Sequence, residues 1–247
     1  MLAMLAMPAM PAMRLPTQAG PTASPQHDSQ SSADVAGLPL HVVPPKVPVP
    51  TAVAVLLSGD GGWADIDKRL SDGLVARGMG VAGVDSRAYF MRKRTPDETT
   101  RDVARVMRHF MLQWSAPRVV LIGYAHGANV APFVANRLAA DVRSSVALIA
   151  LLAPAERASF HFHWLDLLGE TSDPSDPPIL PELERLRGAS VLCVFGRDQK
   201  ESLCRLADTT AVHVDARPGR HHFDGNYDAI ADAIARLAGT HATSAHR

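Results

Sequence analysis

The sequence has no excess of charge of either sign, because 25 lysine and arginine residues balance 25 aspartate and glutamate residues among 247. A chain without net positive charge lacks the electrostatic footprint for the phosphate backbone, so no nucleic-acid partner is expected. It also has no uninterrupted apolar run of the ~20 residues that a membrane-spanning helix needs. The length instead suits one α/β domain with a large core and a tail.

Cysteine is scarce as well: Cys193 and Cys204 are the two in the chain. Two buried free thiols would behave as small apolar residues, whereas an oxidising compartment would allow a disulfide between them. The spacing alone does not decide between these states. If the protein is exported, we expect the pair to form, with Cα atoms roughly 4.4–6.8 Å apart.

Recognised metal-binding spacings are missing. The sequence contains no H-E-x-x-H motif and no cysteine-rich cluster. Isolated histidine pairs match metal patterns by chance, so neither a metal nor another cofactor is expected. The side chains that could act as metal ligands by residue type are His161, His163, His221, His222 and Asp224.

The first 36 residues do not have the composition of a folded segment. Residues 1–20 are apolar, but they carry no basic residue before Arg14, and Pro8 and Pro11 interrupt them. A secretory signal needs a basic start and a continuous apolar stretch, which this pattern does not provide. We expect residues 1–36 to be a disordered or poorly formed targeting and linker segment, residues 37–238 to form the domain, and residues 239–247 to be a frayed tail.

Strands and helices alternate along the predicted domain. This order predicts an α/β fold with a mostly parallel central sheet and helices on both faces. A short strand is also predicted at 160–164, followed by a loop or lid at 170–181. Strands are predicted at 40–43, 51–57, 81–84, 119–122, 146–152, 190–195 and 211–214, and helices at 65–77, 95–114, 128–139 and 227–237.

The stretch from Val119 to Gly127 is the centre of the predicted site. A buried strand breaks at Gly123, and a helical segment of small residues begins at Gly127. This is the G-x-S-x-G nucleophile elbow of α/β-hydrolases, in which the middle residue is strained and side chains at its flanks would collide. The middle residue here is Ala125, so the elbow is predicted without its hydroxyl.

The remaining triad positions are predicted from chain order, since α/β-hydrolases place the acid and then the histidine after the nucleophile. Asp198 follows a predicted strand and is the candidate acid, with Glu201 as the alternative. His221 and His222 follow the last strand, and His222 is preferred because Phe223 can lock its loop. We predict a hydrogen bond between His222 and Asp198, with His222 facing the methyl group of the elbow alanine.

Backbone N–H groups are predicted to form the oxyanion hole. One comes from His126, directly after the elbow alanine, and the other comes from Gly59 or Asp60 in the loop after the strand at 51–57. A carboxylate beside a developing oxyanion would be unfavourable. We therefore expect the Asp60 side chain to point elsewhere or to cap the next helix.

These motifs resemble the VirJ/AcvB family of bacterial virulence proteins, from about residue 38 to residue 237. The resemblance implies an α/β-hydrolase fold, a periplasmic location and hydrolysis of the ester in aminoacylated phosphatidylglycerol. VirJ-type members are also linked to type IV secretion. The stretches that match are L-S-G-D-G-G-W at 57–63, V-D-S at 84–86, Y-F at 89–90, G-Y at 123–124 with Gly127, L-L-A-P at 151–154, P-E-L at 181–183, S-L-C at 202–204 and H-H-F-D-G at 221–225.

The chain departs from the family pattern at the elbow. The family has Gly-Tyr-Ser-x-Gly-Ala-Asp, whereas this chain has Ala125 and Asn129 at the serine and aspartate positions. Loss of the serine removes the covalent step and leaves the oxyanion hole and substrate binding.

Three hypotheses follow, and the sequence gives no oligomeric state. The preferred one is a catalytically impaired relative that retains binding of an aminoacylated phospholipid at a membrane surface or of a secretion-system protein. The second is an active hydrolase in which His222 or His126 activates a water molecule. The third is an engineered Ser→Ala variant of an active serine esterase. The double departure at residues 125 and 129 favours natural divergence over the third.

Overall fold

The computed structural model describes residues 35–161 and 175–244, and these form one seven-stranded sheet with helices packed against it. Its elements in chain order are β1 (Leu40–Val43), β2 (Ala52–Leu57), α1 (Asp65–Ala76), β3 (Met79–Val84), α2 (Ser86–Phe90), α3 (Pro96–Gln113), β4 (Val119–Tyr124), α4 (His126–Arg137), α5 (Ala140–Arg143), β5 (Val146–Leu152), α6 (Leu180–Glu184), β6 (Val191–Gly196), β7 (His213–Arg217) and α7 (Tyr227–Ser244). Short 3-10 turns occur at Leu203–Arg205 and Phe223–Gly225.

The sheet is parallel except at one edge. Its strand order is β1-β3-β2-β4-β5-β6-β7, and β1 pairs with β3 in the antiparallel direction. Every residue of β2, β3, β4 and β6 is buried. Such continuous apolar runs are typical of parallel strands that helices cover on both faces. The predicted α/β-hydrolase architecture is therefore confirmed.

Two apolar cores lie on opposite faces of the sheet. Helices α1 and α7 pack on one face, where Leu74 and Ile234 contact the core that includes Leu56. Helices α3 and α4 cover the other face, where Met107 and Val134 contribute to a separate core. Helix α3 begins at a capping box in which the Thr95 hydroxyl and the Glu98 carboxylate bond each other's backbone N–H groups.

The structure differs from the predicted elements at several places. Helices α2, α5 and α6 were not predicted, and α6 begins within the segment expected to be a loop or lid. Helix α7 continues to Ser244, beyond the expected end at residue 237. Phe160 and His161 are not in a strand, and residues 162–174, including His163, lie outside the described residues. Within the described ranges, no helix has the length and apolar character needed to cross a bilayer.

Cys193 and Cys204 form a disulfide between β6 and the following 3-10 turn. Their Cα atoms are 5.5 Å apart, within the expected range. Both residues are buried. The predicted pairing is thus present, and it fastens the segment after β6, which contains Asp198, to the central sheet.

Candidate active site

The elbow has the predicted geometry. Ala125 lies between β4 and α4 with φ 48° and ψ −112°, a backbone conformation that side chains rarely adopt. The flanking glycines are required because a side chain at Gly127 would collide with the Leu57 carbonyl, and one at Gly123 would collide with the backbone of Gly127. The tight turn predicted at Gly123–Gly127 is therefore confirmed, and residue 125 is strained.

Neighbouring loops hold the elbow in place. The backbone N–H of Gly127 donates to the Ser58 carbonyl at 3.1 Å, which joins the start of α4 to the loop after β2. The side-chain oxygen of Asn129 accepts a 2.8 Å hydrogen bond from the Ala155 N–H, in the loop after β5. Aspartate, the family residue at this position, offers the same acceptor, so the change at 129 retains the contact.

The candidate oxyanion donors lie beside the elbow. Gly59 is so close that a side chain there would meet the Tyr124 ring and the Ala125 methyl group. The His126 N–H donates to no backbone acceptor within the described part of the chain, whereas Gly59 pairs with Gly62 in an isolated antiparallel bridge, in which the Gly62 N–H donates to the Gly59 carbonyl at 3.1 Å. The N–H of Asp60 instead interacts with its own carboxylate. Of the two residues predicted in this loop, Gly59 is the one whose backbone lies against the Ala125 methyl group.

The Asp60 carboxylate points towards the elbow histidine. Its Oδ1 lies 3.4 Å from Nδ1 of His126, so it does not cap α1; Ala64 occupies that cap, and Asp67 accepts its N–H at 3.0 Å. Burial of the Asp60 carboxyl opposes its ionisation, but the hydrogen bond and charge of His126 outweigh it and lower the pKa. The pair therefore connects the oxyanion loop to the start of α4.

His126 itself is buried, with 6% of its surface exposed. Its ring packs against Phe90, with centroids 4.8 Å apart. With Nδ1 directed at Asp60, Nε2 is enclosed and has no hydrogen-bond partner among the described residues. A buried imidazole nitrogen without a hydrogen-bond partner is unfavourable unless a water molecule or a ligand forms a hydrogen bond with it.

The two candidate histidines occupy different environments. His222 is exposed, and its Nδ1 lies 3.1 Å from the Tyr124 hydroxyl. His221 is half-buried, and its ring centroid is 5.3 Å from that of Tyr124. Burial and the neighbouring charge of His222 lower the pKa of His221, against the attraction of Asp60. At neutral pH, His221 is therefore predominantly uncharged.

The predicted hydrogen bond between His222 and Asp198 is wrong. Asp198 is exposed, and neither it nor Glu201 forms an ion pair or hydrogen bond with His222 in the described structure. The backbone N–H of Asp198 donates to the Gly219 carbonyl at 3.1 Å, which fixes the turn while its carboxylate faces solvent. The Tyr124 hydroxyl contacts the imidazole nitrogen that a triad acid would hold.

Two features of the site were not predicted from the sequence. The sequence pattern predicts no contact for the Tyr124 side chain, although Tyr124 directly precedes Ala125 at the end of β4. The contact between the Asp60 carboxylate and the His126 ring was not predicted either. In the described ranges, no three histidine, cysteine, aspartate or glutamate side chains are grouped to hold a metal ion.

A family model described as "Bacterial virulence protein (VirJ)" matches residues 51–241. The chain belongs to the VirJ family. The matched region starts just before β2 and includes the elbow, the Asp60 loop and the histidine pair. No curated protein matches the sequence.

Solved structures that resemble this VirJ-family chain include esterases and a thioesterase. Est1E from Butyrivibrio proteoclasticus with ferulic acid bound is 12% identical, with a TM-score of 0.57 over 81% of this chain and 93% of that one. An esterase of Pyrococcus furiosus is 12% identical, with a TM-score of 0.56 over 91% and 96%. A thioesterase domain from the curacin biosynthetic pathway is 14% identical, with a TM-score of 0.52 over 79% and 94%. At these identities the likeness shows the fold.

Proposed function

We propose that this VirJ-family protein is a catalytically impaired relative of a periplasmic ester hydrolase, and that it binds aminoacylated phosphatidylglycerol without forming an acyl-enzyme. The observation that carries the proposal is Ala125, which holds the strained nucleophile conformation with a methyl side chain. A methyl group cannot attack an ester, so the covalent route is closed.

The polar groups around the elbow support binding of an ester carbonyl. Gly59 and His126 lie beside Ala125, and the His126 N–H has no backbone acceptor among the described residues. In an active hydrolase such donors hold the oxyanion, and they contribute binding even when the triad is incomplete. Among the described residues no carboxylate contacts His222, which supports impairment at a second position, independently of Ala125.

The ligand class and the location come from the family resemblance. The disulfide between Cys193 and Cys204 supports an oxidising compartment such as the periplasm, where such bonds persist. The esterase-like structures support an ester as the functional group in the pocket. Aminoacylated phosphatidylglycerol satisfies both conditions, since it carries an aminoacyl ester on a membrane lipid.

A second function is favoured by one observation, the Asp60–His126 pair. Its carboxylate orients Nδ1, and the orphaned Nε2 is positioned as a base for a bound water molecule. Direct hydrolysis by that water would need no serine. His222 is a weaker candidate for this role because Tyr124 contacts its Nδ1 and no carboxylate in the described part of the chain contacts its ring.

The test compares hydrolysis and binding of lysyl-phosphatidylglycerol by the natural protein, Ala125→Ser and Ala125→Gly. Glycine is the matched control, because it accepts the strained φ without adding a nucleophile. We expect all three to bind the lipid. We also expect Ala125→Ser to show no burst phase and only weak turnover, since loss of the triad acid alone lowers kcat by about 10⁴-fold.

Other results would change the assignment. If Ala125→Ser turns over rapidly with a burst, the machinery is intact and one oxygen atom is all that is missing. If the natural protein already hydrolyses the lipid at an ordinary enzymatic rate and Asp60→Asn or His126→Ala abolishes that activity, the water mechanism replaces the binding function. If none of the proteins binds the lipid, the ligand assignment is wrong.

A further inference from the structure

The loop between α2 and α3 concentrates positive charge, although the chain as a whole has no net charge. Arg92, Lys93 and Arg94 are consecutive, whereas the whole chain has a net charge of zero. Met91 directly precedes them, and 59% of its surface is exposed. An exposed thioether beside three cations is the combination that binds a bilayer surface, with the apolar group in the interface and the cations at lipid phosphates.

The loop lies at the same edge of the sheet as the elbow. It follows α2, which begins at the carboxyl end of β3, and the Phe90 ring at the end of α2 packs against His126. The Arg94 N–H donates to the Phe160 carbonyl at 2.9 Å, and its guanidinium lies 4.6 Å above the Tyr89 ring. These contacts hold the cationic loop in a fixed position beside the site.

Most of the nearby carboxylates have partners outside the loop, and the charge of Glu98 interacts with Arg94 alone among the three cations. Asp97 pairs with Arg137 at 3.6 Å, and Glu98 accepts the Thr95 N–H at 2.7 Å. Asp102 accepts the Tyr89 hydroxyl at 2.7 Å and pairs with an arginine of its own helix.

The two cations at the centre of the loop have no such partners. Within the described ranges, no acid forms an ion pair with Arg92 or Lys93, and both side chains are on the exposed side of the loop. Lys93 and Arg94 also line a cleft of about 470 Å³, with Asp176 on its other wall. The positive charge is therefore directed outward, next to an opening large enough for a lipid head group.

We propose that Met91–Arg94 docks this protein on an anionic phospholipid bilayer. Docking there places the elbow edge of the sheet against the membrane, so that a lipid ester reaches the Gly59 and His126 donors without leaving the bilayer completely. The inference extends the proposed function by naming the surface that delivers the ligand. It depends on the charge and exposure of the loop, and not on the chemistry at Ala125.

The test measures partition of the full chain onto vesicles of phosphatidylglycerol and phosphatidylcholine, compared with phosphatidylcholine alone. Neither vesicle contains aminoacylated lipid, so failure of docking is distinguishable from failure of the proposed ligand. We expect binding to the anionic vesicles that weakens as salt is raised. The variant Arg92→Gln/Lys93→Gln should bind about 25-fold more weakly, at about fivefold per basic residue near an anionic surface. Met91→Ser should weaken binding further.

The matched control removes the same charge at the opposite edge of the sheet. Lys46 precedes β2 and Arg143 precedes β5, and both are exposed. The double variant Lys46→Gln/Arg143→Gln should bind as the natural protein does. Equal weakening in both double variants, binding that is insensitive to salt, or equal binding to phosphatidylcholine would overturn the proposal.

Discussion

The backbone of Ala125 has the strained conformation in which a nucleophile elbow normally presents a serine hydroxyl. A non-glycine residue in such a region costs about 1–3 kcal/mol, and surrounding structure must over-determine it. Here Gly123 and Gly127 permit the turn, and hydrogen bonds to Ser58 and Leu152 hold it. The same turn places His126 at the first position of α4, directly after the elbow alanine.

A second unfavourable residue is Asp67, whose carboxyl is buried in the first turn of α1. Its Oδ2 accepts the Ala64 N–H, but its Oδ1 has no hydrogen-bond partner in the described chain. Burial raises the pKa of this carboxyl to about 6. The native state therefore binds a proton that the unfolded state releases between pH 4 and 6, and the free energy of unfolding decreases as pH rises through this window.

Replacement of Asp67 by asparagine should remove this pH dependence. A shift of about two pKa units corresponds to about 3 kcal/mol. As pH rises from about 4 to about 7, the unfolding free energy of Asp67→Asn should therefore increase by about 3 kcal/mol relative to that of the natural protein. Urea denaturation at a series of pH values measures it. Asp65→Asn, in the same turn but exposed, is the control; a flat difference curve for residue 67 would contradict the assignment.

At the scale of elements, strands were predictable and side-chain directions in the loops were not. The apolar runs locate β2, β4 and β5 almost to the residue, because a strand buried on both faces has little freedom in composition. The glycines around Ala125 likewise identify the elbow. The short helices α2 and α6 are too brief to give a periodic pattern.

The candidate triad also shows that side-chain directions beyond the ends of strands could not be predicted from the sequence. Chain order correctly placed Asp198 after β6 and the histidines after β7. Whether a carboxylate faces an imidazole depends on the turn beyond the strand, and the hydrogen bond from Asp198 to Gly219 turns that side chain outward. The partner that meets His222 is Tyr124, which belongs to β4 and is 98 residues away in the chain.

The disulfide is the element-scale feature that should matter most for stability. Cys193 is in β6, and Cys204 is in the 3-10 turn Leu203–Arg205. The N–H of Leu203 in this turn donates to the Pro154 carbonyl at 3.2 Å. In the chain-entropy description, closing a loop of 11 residues stabilises the folded state by about 3 kcal/mol. We therefore expect a reductant to lower the unfolding free energy of the natural protein by about that amount.

The control for this prediction is Cys193→Ala/Cys204→Ala. The double variant carries its own packing cost, because both positions are buried. Its stability should nevertheless not change when reductant is added, whereas that of the natural protein should fall. Equal responses of the two proteins in parallel urea titrations would show that the bond contributes little.

At the scale of the whole molecule, β1 is the one antiparallel strand and closes an edge of the sheet. It pairs with β3 from Leu40 opposite Val84 to Val43 opposite Val81. The His41 ring also stacks on Trp63, with centroids 4.9 Å apart. The VirJ family match begins at residue 51, so this strand lies outside the matched region. The contacts of β1 with β3 and with Trp63 suit it to covering this edge of the sheet.

We predict that a chain beginning at residue 51 associates with itself, whereas a chain beginning at residue 35 does not. Without β1, the N–H and C=O groups of β3 are left unpaired along a strand whose side chains are all apolar or glycine, and such an edge recruits other strands. Size-exclusion chromatography should show larger species for the shorter chain, increasing with concentration. The chain from residue 35 keeps β1 and is the control. If the chain from residue 51 elutes with the same apparent mass as the control and unfolds at the same temperature, β1 is not needed to prevent self-association at this edge.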